Sequence, residues 1–124
     1  ATMDPALASL IEDLSVTGMI DKTLVVVLSE FGRTPRVNDN AGRDHWAKVF
    51  SCFMAGGGIK GGTVIGSSDT DGAMPDERPV EVSDLHATVL HAMGINPAHE
   101  ITTPQGRPMT LVRKEAKPVA ELFV

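Results

Sequence analysis

The feature that most constrains the fold is an apolar run, Thr23-Leu24-Val25-Val26-Val27-Leu28. Valine and threonine favour strands because their branched side chains pack well on a pleated sheet. Successive strand residues point to opposite faces, so a run without polar interruption predicts a strand buried on both faces. The five aliphatic residues fall far short of the roughly 20 needed to cross a bilayer. The run therefore predicts a central strand of a parallel or mixed sheet. It is too short to be a membrane-spanning segment.

Two segments have the apolar spacing of helices. The first begins at Asp4-Pro5, a good helix cap followed by the residue best suited to the first helical position, and should end at Gly18. Its apolar positions recur at intervals of three and four: Leu7, Leu10, Ile11 and Leu14. The second should be capped by Ser83 and end at Gly94. Both predict amphipathic helices with one face on a core.

The remaining apolar stretches predict additional short strands. Val49 to Ala55 suits a second strand, and the glycines at 56–58 and 61–62 indicate a turn towards a strand at Thr63 to Ile65. In the tail, Met109 to Val112 and Val119 to Val124 could add edge strands or pack as arms. The sequence therefore predicts an α/β fold with about three to five strands, two main helices and one domain over residues 1–124.

Charge and composition exclude several classes of partner. The chain has 11 basic and 16 acidic residues, a net charge of −5 and an aromatic content of 4%. Binding of nucleic acid or anionic membranes normally needs basic surfaces, and single strands also need aromatic stacking platforms. We therefore expect neither partner. The one cysteine, Cys52, cannot form an intrachain disulfide; it is expected to be a small core hydrophobe and does not fix the compartment.

The loop after the central strand carries the residues best suited to chemistry. Glu30 follows the strand directly, at the position where open α/β sheets gather ligand sites, and His45 closes the same loop. If both return to one locale, carboxylate and imidazole ligands would suit zinc, manganese or a similar divalent ion. Two ligands alone are too few for a tight site. The alternative is that Glu30 marks the strand's emergence into solvent or pairs with Arg33.

Arginines in the same loop predict recognition of an anion. The guanidinium groups of Arg33 and Arg43 match the geometry of phosphate or sulfate. The alternative is that they form ion pairs with nearby acids, such as Glu30 or Asp44. The residues alone leave both interpretations open.

Three stretches, taken together and in order, resemble a known family. They are Thr-Leu-Val-Val-Val-Leu-Ser-Glu-Phe-Gly-Arg-Thr-Pro at 23–35, Gly-Arg-Asp-His-Trp at 42–46 and Asp-Leu-His-Ala-Thr-Val-Leu-His-Ala-Met-Gly-Ile at 84–95. The combination resembles the C-terminal part of a sulfatase-like bacterial family of unknown function within the alkaline phosphatase superfamily. The resemblance implies part of a doubly wound sheet and a C-terminal fragment of a longer protein.

The resemblance also implies roles for individual residues. Glu30 matches an acidic metal ligand and His45 a later histidine ligand, while Asp84, Leu85 and Thr88 match a structural helix. The metal would be zinc, manganese, magnesium or calcium. Two departures stand out: a phenylalanine follows Glu30 where the superfamily has a histidine ligand, and no residue matches the nucleophile. The catalytic residues are therefore unknown.

Two functions follow as expectations. The first is a metal-site segment of a sulfatase-like or phosphatase-like hydrolase, which would act on an anionic phosphate or sulfate ester and be inactive without its nucleophile-bearing half. Many parents in that family are exported, to the periplasm or outside the cell. The alternative is a non-catalytic protein in which Glu30, Arg33, Asp44 and His45 form a structural polar network. In either case an uncovered face of the central strand predicts a homo-oligomer.

Overall fold

The structure is a computed structural model that describes residues 3–123. It is mixed α/β, as the sequence predicts, with helices α1 (Met3–Val16) and α2 (Val82–Ala92). Six short strands lie in the described part of the chain: β1 (Val25–Val27), β2 (Gly32–Arg33), β3 (His45–Trp46), β4 (Phe53–Ala55), β5 (Glu100–Thr102) and β6 (Pro108–Thr110). Two 3-10 turns, Met19–Lys22 and Ala120–Leu122, complete the elements.

The chain divides into two compact units. The described residues of the first unit are 3–25, 55–61 and 80–123, and those of the second are 26–54 and 62–79. The first unit contains both helices and the β5–β6 hairpin, and the second contains β2 and β3.

Both helices end at the glycines that the sequence indicates. Gly18, after α1, and Gly94, after α2, adopt left-handed conformations with φ of 70° and 74°. This conformation is easy for glycine because it lacks a Cβ. Their amides donate hydrogen bonds to the carbonyl oxygens of Ser15 at 3.1 Å and His91 at 2.9 Å, which closes each helix. The α2 cap, however, is Glu81 and not Ser83, so that part of the prediction is wrong.

The core of the first unit lies between α2 and the C-terminal segment. Leu85, Ala87 and Thr88 of α2 are buried, and so is Val119. The Thr88 hydroxyl accepts a hydrogen bond from the Val119 amide, and the Asp84 carboxylate accepts one from the Lys117 amide, both at 2.9 Å. Side chains of one helix face thereby satisfy backbone amides that the tail cannot pair within itself.

The strands are shorter and more dispersed than the sequence predicts. They form three separate pairs, β1 with β4, β2 with β3 and β5 with β6, so the described residues contain no continuous doubly wound sheet. β1 is only half-buried and Leu28 is 56% exposed, because β1 has one neighbouring strand. The expected burial of this run on both faces is therefore wrong. Thr63 to Ile65 is not a strand either.

The glycine cluster makes a tight turn, as the sequence predicts. Gly56 has a φ of 72°, and a Cβ at this position would lie 2.3 Å from the Thr23 carbonyl oxygen. The next amide, that of Gly57, donates to the Ile20 carbonyl oxygen at 2.9 Å. Only glycine permits both this conformation and this close backbone approach. The turn therefore holds residues 55–61 against the segment that follows α1.

Candidate functional site

The candidate site is the loop between β2 and β3, in the second unit. The two strands pair antiparallel, with Gly32 opposite Trp46 and Arg33 opposite His45. Gly32 packs so closely that a Cβ there would lie 2.0 Å from the Val49 carbonyl oxygen. The Trp46 indole N–H donates to the Ala73 carbonyl oxygen at 2.8 Å, which anchors β3 to another segment of the same unit. The pairing thus brings the two ends of the predicted functional loop together.

Both predicted anion-binding arginines bind backbone carbonyl groups of this loop. Arg33 Nη1 donates to the Arg43 carbonyl oxygen at 3.1 Å. In the opposite direction, Arg43 Nη1 donates to the Thr34 carbonyl oxygen at 2.8 Å and also to that of Pro35. The side chains therefore cross-link the two sides of the loop. Neither contact is the pairing with acidic residues that the sequence offered as the alternative.

Asp44 and Asn38 form a second set of cross-links. The Asn38 side-chain amide donates to Asp44 Oδ1 at 2.9 Å, and Asn38 Oδ1 accepts from the amides of Asn40 and Gly42, each at 3.0 Å. The Asp44 amide in turn donates to the Thr34 hydroxyl at 3.1 Å. One asparagine side chain therefore organises the tip of the loop.

Glu30 and His45 are both exposed, and neither takes part in these cross-links. The His45 ring stacks on the Phe31 ring, with centroids 3.9 Å apart and planes 25° apart. Within residues 3–123, the Glu30 carboxylate has no hydrogen bond or ion pair. The partner of His45 is thus the phenylalanine that follows Glu30, and not Glu30 itself.

The predicted metal site needs at least one further ligand beside Glu30 and His45. In the described part of the chain, no group of three or more histidine, cysteine, aspartate or glutamate side chains could hold a metal ion. A tight divalent site requires at least three protein ligands, as catalytic zinc centres show. The prediction of a metal bound by Glu30 and His45 therefore rests on the sequence alone.

Thr34 and Asn38 take part in the cross-links of the loop, although the sequence did not single them out. From the sequence, the run at 37–40 indicates only part of a long loop. The signal was nevertheless present, because asparagine side chains readily bond to backbone amides two to four residues away and so stabilise turns. A threonine or asparagine inside a loop is ambiguous until its partner amide is known.

Cys52 lies just before β4 and is exposed, contrary to the expected core position. Partial burial raises the pKa of its thiol above the ordinary value of 9.0, and a backbone hydrogen bond opposes this shift. A raised pKa keeps the thiol protonated near neutral pH, whereas a nucleophile must be a thiolate. Neither its sequence context nor this pKa supports a role for Cys52 as a nucleophile.

Comparison with known proteins gives a family but no function. One family model, described as protein of unknown function (DUF1501), matches residues 1–123. No curated protein and no solved structure matches the chain. None of the helices in residues 3–123 has the length and apolar character needed to span a membrane.

The match corrects the resemblance drawn from the three motifs. The matching family is not a family of the sulfatase or alkaline phosphatase superfamily, so that assignment is wrong. All three motifs lie within residues 1–123, which match a family of unknown function. The chain belongs to the DUF1501 family of proteins of unknown function.

Proposed function

We propose that the β2–β3 loop is a non-catalytic structural element that fixes the two short strands of the second unit in register. The observation that carries this proposal is the crossed pair of arginine contacts, Arg33 to the Arg43 carbonyl and Arg43 to the Thr34 carbonyl. Each guanidinium group binds the backbone of the opposite side of the loop.

The β2–β3 pairing involves only two residues of each strand. Two-stranded hairpins are marginally stable in water, and β2 and β3 are far shorter than typical strands. Each intramolecular hydrogen bond contributes about 0.5–1.5 kcal/mol net, and bonds from charged donors contribute somewhat more. Several side-chain bonds across one loop can therefore supply stability that the short ladder lacks.

The proposed network differs in membership from the one the sequence suggested. Arg33 and Asp44 belong to it, together with Arg43, Thr34 and Asn38. His45 contributes by ring stacking, and Glu30 is outside it. The hydrolase interpretation stays a prediction, and it would require Glu30 and His45 to acquire further ligands.

Calorimetric titration with zinc and with manganese tests the proposal against that alternative. The proposal predicts that the chain and its His45→Ala variant show equal, negligible binding. Saturable binding that is lost in both His45→Ala and Glu30→Ala would overturn it.

A stability comparison tests the network directly. Arg43→Ala removes both carbonyl contacts and should lower the free energy of unfolding by about 1 kcal/mol. Arg36→Ala is the matched control, because Arg36 is an exposed arginine of the same loop. Its backbone carbonyl oxygen accepts a hydrogen bond from the Thr34 hydroxyl, and this contact is kept in the alanine variant. Equal effects of the two substitutions would contradict a structural role for Arg43.

A further inference from the structure

Helix α1 carries an apolar stripe that is only partly covered: two of its residues, Leu7 and Leu14, are half-buried. Met3, Leu7, Leu10 and Leu14 lie on one helix face, since residues three or four apart are neighbours. No residue of α1 is buried; Met3 is 63% and Leu10 46% exposed.

The acidic residues of α1 have distinct positions around this stripe. At 100° per residue, Asp4 and Asp13 border it on opposite sides, and Glu12 lies on the far side of the helix. The helix contains no basic residue. It therefore presents an apolar stripe with a negative border.

The β5–β6 hairpin, also in the first unit, presents a complementary surface. Ile101 and Met109 are opposite each other in the ladder, and they are 45% and 50% exposed. Because side chains alternate along a strand, Arg107 belongs to the same face as Met109. Residues 100–117 contain four basic and two acidic residues within a chain of net charge −5. The hairpin itself contains one basic residue, Arg107, and one acidic residue, Glu100, and Lys114 of the following segment lies 3.7 Å from the Glu100 carboxylate. The hairpin face therefore offers an apolar pair beside one basic side chain, Arg107.

The chain as a whole exposes more surface than compact proteins of its mass. The accessible surface is 9216 Å². Compact monomers of 13.1 kDa expose about 6,400 Å², and two fully independent units of the sizes seen here would expose only about 7,700 Å². The excess is thus at least roughly 1,500 Å², whereas a standard interface takes about 800 Å² from each partner.

We infer that a second copy of this chain covers both surfaces. The α1 stripe of one protomer packs on the Ile101–Met109 face of its partner, and two-fold symmetry repeats the contact in the opposite direction. Asp13 of one protomer then lies beside Arg107 of the other. This inference does not depend on the role proposed for the β2–β3 loop, because both surfaces belong to the first unit.

Sedimentation equilibrium over a dilution series tests the dimer. We expect the chain to approach twice its 13.1 kDa mass and to dissociate more readily at high salt. Asp13→Lys should weaken the dimer about tenfold, which corresponds to about 1.4 kcal/mol. Glu12→Lys is the matched control: it makes the same change of charge at the adjacent position on the opposite face, and it should leave the dissociation constant unchanged.

Exchanging the charges of Asp13 and Arg107 tests whether these two side chains meet across the dimer interface. Arg107→Asp alone should weaken the dimer as Asp13→Lys does, and the double variant should regain most of the affinity. A monomer at every concentration would overturn the inference, since another occupant must then cover these surfaces. Equal weakening by Glu12→Lys and Asp13→Lys, or no recovery in the double variant, would also overturn it. Far-UV circular dichroism of each variant verifies that α1 is retained.

Discussion

The hydroxyl group of Thr88 joins α2 to the C-terminal segment through Val119. It accepts the Val119 amide at 2.9 Å and donates to the Asp84 carbonyl oxygen at 2.6 Å. Thr88 is 1% and Val119 3% exposed, so water cannot replace either partner. A buried amide without an acceptor loses its hydration without compensation. The hydroxyl is therefore expected to be essential for docking the tail.

Thr88→Val keeps the shape of the side chain but leaves the Val119 amide without its acceptor. We expect a loss of about 1–3 kcal/mol in the free energy of unfolding, measured by urea denaturation. Thr88→Ser is the matched control, because it keeps the hydroxyl and loses only a methyl group. Hydrogen exchange should show that the Val119 amide is protected in the serine variant and unprotected in the valine variant. Equal protection in both would refute this role.

Asn38→Ala removes the donor to Asp44 and the acceptor for two backbone amides. Because Asn38 is half-buried, we expect a loss of about 1–2 kcal/mol in thermal or urea unfolding. Asn40→Ala serves as control, since Asn40 contributes only its backbone amide to this turn. If both variants are equally stable, the side chain of Asn38 does not organise the loop.

Gly32→Ala should destabilise the β2–β3 pairing. The new Cβ would lie 2.0 Å from the Val49 carbonyl oxygen, so the backbone must shift. Overpacking of this kind typically costs about 1–3 kcal/mol. Gly61→Ala is the control, because a Cβ there meets no atom within 4 Å. A Gly32→Ala variant as stable as the control would show that the close approach is not required.

The raised pKa of Cys52 predicts slow reaction with thiol reagents near neutral pH. The reactive thiolate fraction should be smaller in the folded chain than in the urea-unfolded chain, and in the folded chain the thiolate should become the major form only at a pH above 9.0. By linkage, the stabilisation from the protonated thiol is present below the unfolded pKa and is lost as the pH rises through the folded pKa. Ellman's reagent, with Cys52→Ser as blank, measures the rates. Equal rates for folded and unfolded chains at pH 8 would contradict the shift.

The helices could be predicted because their signals are local. The terminal glycines depend only on neighbouring residues, and the mixed α/β class is confirmed. The predicted cap at Asp4 is wrong, because α1 begins at Met3 and Asp4 lies in its first turn. The burial of the Thr23–Leu28 run could not be predicted in the same way. An apolar run shows what a strand can bury, whereas its actual burial depends on which other segments pair with it.

The hydrogen-bond acceptors of the two arginines could not be predicted from the sequence. The position of Arg33 and Arg43 in one loop was evident from the sequence, but arginine binds carbonyl oxygens, carboxylates and anions with the same donors. The selection of carbonyl groups depends on the β2–β3 register. The three motifs also led to a superfamily assignment that the family match corrects.

The first unit consists of three separate segments of the sequence, and this affects the order in which it can fold. Ile59 forms a bridge with Phe123, and the Lys60 amide donates to the Leu122 carbonyl oxygen at 2.7 Å. These contacts join residues separated by about half the chain. Folding slows as the mean sequence separation of contacts increases, because loop closure costs entropy before the contacts form. The contacts of residues 59 and 60 with residues 122 and 123 therefore cannot form until that late segment of the chain has left the ribosome.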